Sequence, residues 1–131
     1  MKNKAIMKNL KIKKKTLSKN DALKKIFTLQ KNFGKKFCNF DNLSFEEKVK
    51  WTKEFIICCL NELNEILDWI PWKHWKKKYK KPDEIEIKFE IIDLLHFVVS
   101  LALVWNMNAE EFYSLYITKM EENINRQKRG Y

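Results

Sequence analysis

Two pairs of carboxylates spaced three residues apart, Glu62 and Glu65 in "ELNE" and Glu90 and Asp93 in "EIID", sit within stretches otherwise suited to burial. A spacing of three puts both members of a pair on one helical face, within reach of a common point. Around the first pair, Phe55, Cys59, Glu62, Ile66 and Trp69 recur at steps of four and three, so Glu62 interrupts an apolar seam. Around the second, Glu86, Glu90, Asp93, Phe97, Ser100 and Val104 share a stripe, and isoleucines, leucines and a valine fill the opposite side. Ionised carboxylates are seldom fully buried unless paired or metal-bound. If the two segments pack side by side, four carboxylates converge. Such an all-oxygen cluster suits a hard divalent ion, and Mg2+ that keeps waters for a phosphate substrate is the natural choice. Pairing with the chain's abundant lysines would explain either acidic pair alone, but two pairs on adjacent apolar helices weigh against it. A di-iron centre is disfavoured, because only Asp93 and His96 have a carboxylate-x-x-His spacing and the other histidine, His74, falls in a loop. His96 reads as a core histidine satisfied by a hydrogen bond.

The elements that must hold these residues follow from composition and periodicity. With 131 residues, two glycines, two prolines, 45% hydrophobic and 34% charged residues, the chain offers few turns and long patterns. An all-α fold is expected. A first helix is predicted from about Asn20 to Phe37. A second opens after Ser44, with Glu47 completing a capping box, and runs to about Ile70 before Pro71. "PWKHWKKKYKKP" reads as a basic, aromatic loop. A third helix spans about Glu84 to Trp105, and a fourth follows the cap Asn108 to about Arg126. Four helices with short connections read as a four-helix-bundle core. The expected organisation is a basic N-terminal arm over 1–18 and one helical domain over 19–131.

The net charge is +10, and Asp21 is the only acid before Asp41. Such a basic arm could touch nucleic acid, a membrane surface or an anionic ligand. Three cysteines, two of them adjacent, do not make a disulfide framework. No leader pattern opens the chain, and Asp93 and His96 interrupt the longest apolar run, which falls short of the roughly 20 apolar residues of a membrane span. A cytoplasmic, non-membrane protein is expected.

These motifs resemble the dimeric, all-α dUTPases of the MazG-like nucleotide pyrophosphatase superfamily. "ELNE" followed by "EIID" fits that superfamily's ExxE and ExxD pairs at Glu62, Glu65, Glu90 and Asp93. "PWKHWKK" and "DLLHFVVSLAL" look like the segments around the pairs. "FTLQKNF" resembles the family's Leu-Gln motif and points to Gln30 as the contact to the uracil edge. "KMEENINRQKRGY" resembles the closing motif, so Lys119, Asn123 and Arg126, with Tyr131 completing the pattern, are implied to hold the phosphates. Met120 departs from the family's second Asn, and the insertions of larger members are missing.

The resemblance implies a Mg2+-dependent enzyme that hydrolyses dUTP, and dUDP as a second substrate, to dUMP. Glu62, Glu65, Glu90 and Asp93 would hold the metal, with Glu62 or Glu65 as general base. Gln30 could also recognise cytosine with its amide flipped, so a pyrophosphatase for dCTP or other dNTPs is the alternative. Trp69 is a candidate for stacking on the base. The bundle's apolar surplus favours a homodimer. A basic nucleic-acid-binding helical protein is the non-enzymatic alternative; it explains the lysines but not the acids, and ranks below catalysis.

Overall fold

The computed structural model describes residues 19–130; the basic arm expected over 1–18, and Tyr131, lie outside them. Within this range the chain folds into four α-helices, α1 (Lys19–Gly34), α2 (Phe45–Asp68), α3 (Glu84–Val104) and α4 (Ala109–Lys128), with a single 3-10 turn at Phe40–Asn42 and no strand among the described residues.

Local chemistry sets most boundaries. Ser44 Oγ accepts from Glu47 N at 3.2 Å while Glu47 Oε2 accepts from Ser44 N at 2.8 Å, closing the capping box that starts α2. Asp83 caps α3 by accepting from the amides of Ile85 and Glu86, and Asn108 caps α4 by accepting from Glu111 N at 2.8 Å. At the end of α3, Asn106 takes a positive φ of 59° and reverses the chain into α4. One boundary departs from the periodicity. α1 stops at Gly34, not Phe37, and there the Phe40 ring packs onto it: a Cβ at Gly34 would lie 2.5 Å from the ring. Only glycine allows that approach.

α3 packs most extensively along α2, next against α1, and α1 in turn meets α4. The core gathers at the C-terminal end of α3, where Val99, Ala102, Leu103 and Val104 meet Phe27, Cys38, Phe40 and Ala109. Phe27 and Phe112 cross edge to face at 5.3 Å and tie the start of α4 to α1. The N-terminal half of α3 is more open; Ile91 and Ile92 are about half exposed, at 48% and 49%. No helix of the described residues is long and apolar enough to cross a membrane.

Candidate metal and nucleotide site

The α2–α3 pairing carries the acidic pairs to one place. Ligand atoms of Glu62, Glu65 and Glu90 all lie within 4.8 Å of one another. The three carboxylates are half-buried rather than sealed in the core. Desolvation, then the charges of Glu65 and Asp93, push the Glu62 carboxyl above its ordinary range, with a hydrogen bond from Asn61 opposing. Glu90 is pushed up for the same first reason and then by Glu65, while the Trp69 side chain favours its charged form. Asn61 Nδ2 donates to Glu65 Oε1 at 2.6 Å. These contacts are with neutral donors, and none of the ion pairs formed by the described residues reaches the three carboxylates. Crowded like charges without a counter-charge fit a divalent cation with oxygen ligands.

Asp93 lies on the same side, near enough to raise Glu62, but outside the tightest trio. Its Oδ1 is 3.6 Å from His96 Nδ1, and both side chains are about half exposed, at 51% and 54%. His96 is therefore not the core histidine that its apolar surroundings suggested: it faces a groove. The groove, of about 680 Å³, opens from Glu62 and Asp93 between α1 and α3. Ile26, Leu29 and Phe33 form its apolar wall, and Gln30, His96 and Phe97 complete it. Its size and its mixture of apolar walls with a few polar groups match small-molecule sites. His96 and Phe97 join the candidate site residues, and the stripe through Glu90 and Asp93 places Phe97 beside them.

The remaining candidates sit apart. Trp69 does not line the groove; it lies against Glu90, and Lys80 Nζ stands 4.0 Å from its ring centroid. Lys119, Asn123 and Arg126 share a face of α4, where Asn123 and Arg126 border an open hollow with Met120. Arg126 Nε is 3.1 Å from Glu122 Oε1 on the same helix. Nothing from α4 lines the groove in the single chain. Cys38, Cys58 and Cys59 are free thiols, raised in pKa chiefly by burial.

Comparison with known proteins adds sequence relationship to this geometry. Among curated proteins, a dCTP pyrophosphatase of Enterobacteria phage T4 is 47% identical over 49 residues, 37% of this chain and 29% of that protein. A dCTP pyrophosphatase of Enterobacteria phage LZ5 is 49% identical over 49 residues, 37% of this chain and 28% of its own length. A DNA replication protein of phage T4 is 44% identical over 43 residues, 33% of this chain and 11% of the other. The chain thus spans less than a third of the length of each of these relatives. No solved structure gives a significant match. The model of the dUTPase family matches residues 22–112, which include the groove wall, both acidic pairs and all of α1, α2 and α3 except the first residues of α1. The chain belongs to the dUTPase family.

Proposed function

We propose that this chain is a divalent-cation-dependent nucleotide pyrophosphatase that hydrolyses dUTP to dUMP and pyrophosphate, with dUDP as a second substrate. The observation that carries the reading is the convergence of Glu62, Glu65 and Glu90, with no ion pair to them among the described residues, beside a groove that Glu62 lines and that is large enough for a nucleotide. Glu62, Glu65, Glu90 and Asp93 would hold Mg2+. The ion would supply charge neutralisation for the phosphates and acidify water. Glu62 or Glu65 takes the proton of the attacking water, and burial, which raises the Glu62 carboxyl above its ordinary range, suits Glu62 to accept it. Water adds to phosphorus, the bond between the α- and β-phosphates breaks, and pyrophosphate leaves.

Gln30 meets the base edge, and the apolar wall of α1 with Phe97 covers the ring. Trp69 serves less as a stacking surface than as a support for Glu90. Lys119, Asn123 and Arg126, with Tyr131, hold phosphates only if α4 of some copy reaches the groove, and this is part of the proposal of a homodimer. Large exposed apolar side chains on three helices, among them Leu29, Phe33, Ile57, Leu60, Ile91 and Ile92, support that assembly. In this reading the catalytic domain covers 19–131 and the lysine-rich arm 1–18 precedes it. A second reading, dCTP as the preferred substrate, is favoured by the two phage relatives named dCTP pyrophosphatase.

Pyrophosphate and phosphate release from dUTP, dCTP, dTTP, dATP, dGTP and dUDP, with and without Mg2+, tests the proposal. Magnesium-dependent turnover led by dUTP is expected. Turnover led by dCTP selects the second reading, and no turnover by folded protein sinks both.

A further inference from the structure

Gln30 Nε2 lies 3.0 Å from Ser100 Oγ, a bridge from α1 to α3 across seventy residues of sequence. Ser100 Oγ lies 2.9 Å from the carbonyl oxygen of His96, one turn earlier in α3. Ser100 is 2% exposed, so water does not compete for its hydroxyl. A hydroxyl has one proton to give, and a carbonyl oxygen only accepts. The proton therefore goes to His96, as serine back-bonding within a helix commonly does. What Ser100 can still do is accept, so the group of Gln30 that faces it must be the NH2. Turning the amide over would set the Gln30 oxygen against the hydroxyl's lone pairs, or take the proton from His96 and leave two oxygens 2.9 Å apart with no proton between them. The amide of Gln30 is thus fixed in one sense, between the groove and a smaller apolar cavity of about 120 Å³ bordered by Ile92, Leu95 and Val99.

Orientation has a chemical consequence. At adjoining ring positions uracil offers an N–H donor and a carbonyl acceptor, whereas cytosine offers a ring-nitrogen acceptor and an amino donor. For one placement of the pyrimidine, the two bases demand opposite senses of a glutamine amide. We infer that Ser100 is a positioning residue for pyrimidine selectivity: through its bonds to His96 and Gln30 it holds the Gln30 amide in the sense that matches one base and opposes the other. The inference rests on the proposed role of Gln30 at the base.

The test compares kcat/KM for dUTP and dCTP in the full chain and its Ser100→Ala variant, with Mg2+ saturating. Alanine suits a buried helical position, and circular dichroism and melting check that the variant is folded. The wild-type protein is expected to prefer one pyrimidine, and the preference should fall about tenfold in the variant, the effect of roughly one net hydrogen bond. A purely structural role would slow both substrates together and leave their ratio unchanged, which overturns the inference. A wild-type protein that turns over both bases equally overturns it too. Turnover of neither nucleotide is a failure of the pyrophosphatase reading instead, and the lock is then tested without turnover. In nitrogen-15-labelled protein the Gln30 side-chain amide protons should exchange slowly and show contacts to the Ser100 β-protons, and their absence contradicts it.

Discussion

The acidic face between α2 and α3 and the basic face at the end of α4 have the same kind of sequence signal, polar groups at steps of three or four on one helical side, but opposite structural outcomes. The acids meet partners across a helix pair: Glu90 of α3 comes to Glu62 and Glu65 of α2, and like charges crowd. The bases do not. From Tyr113 to Lys128 only Glu122 and Arg126 are less than exposed, and their bond stays on their own helix. α4 is anchored at its start, by Phe27 against Phe112 and Lys24 against Glu110 at 3.1 Å, and most side chains of its later turns are exposed. Helical periodicity dictates which side chains share a face; packing dictates what that face meets.

The strongest way to break the contrast is Glu90→Gln. If the acidic face is the cation site, nucleotide turnover should fall at least 100-fold, in line with the loss of a group central to water activation, while the helical circular-dichroism signal stays. Next is Arg126→Ala. If α4 of a partner copy completes the site, KM should rise about tenfold with melting temperature little changed, because a solvent-screened ion pair within one helix such as Arg126–Glu122 stabilises by at most about 1 kcal/mol. Sedimentation should show a dimer in both proteins, and a monomer with full activity would dissolve the cross-subunit role of α4.

Gly34→Ala probes the close approach at the end of α1. The added methyl must displace the Phe40 ring, and a stability loss of about 1–3 kcal/mol is expected in denaturant titration, with activity per folded molecule retained.

A pH series sharpens the contrast by isolating the acidic face. Glu62 and Glu90 have folded-state pKa values above their ordinary ones, so the folded metal-free chain binds more protons than the unfolded chain across that window. Their contribution is therefore most favourable at low pH and declines as pH rises from the ordinary carboxylate range through the raised values. Mg2+ should reverse the decline, raising the melting temperature more at pH 7.5 than at pH 5, and the gain should vanish in Glu90→Gln. The smallest effect is expected from Ser44→Ala, about 1 kcal/mol of stability with no change in the magnesium response, since the cap lies far along α2 from the cluster.

Much of this was legible in the sequence because it depends on near neighbours. The capping box at Ser44 and Glu47, the cap Asn108, the stop before Pro71 and the shared face of each acidic pair are all decided within one or two helical turns. The all-α fold follows from the same patterns. What escaped is set by distant contacts. α1 ends three residues short of Phe37, and the Phe40 ring occupies the space over Gly34, a contact that no local rule places. The apolar run around His96 suggested full burial, but the core concentrates at the other end of α3 and leaves this half open to the groove. Asp93 shares the acidic stripe, yet its side chain leans to His96, outside the trio. The bond from Gln30 to Ser100 joins two helices whose sequences carry no sign of each other.

Anomalous diffraction from crystals grown with Mn2+ and a non-hydrolysable dUTP analogue tests the acidic face as a cation and nucleotide site. Manganese is expected among Glu62, Glu65, Glu90 and Asp93, with the analogue's phosphates on the ion and its base against Gln30. Manganese bound elsewhere, or a nucleotide seated away from the acidic face, would contradict it.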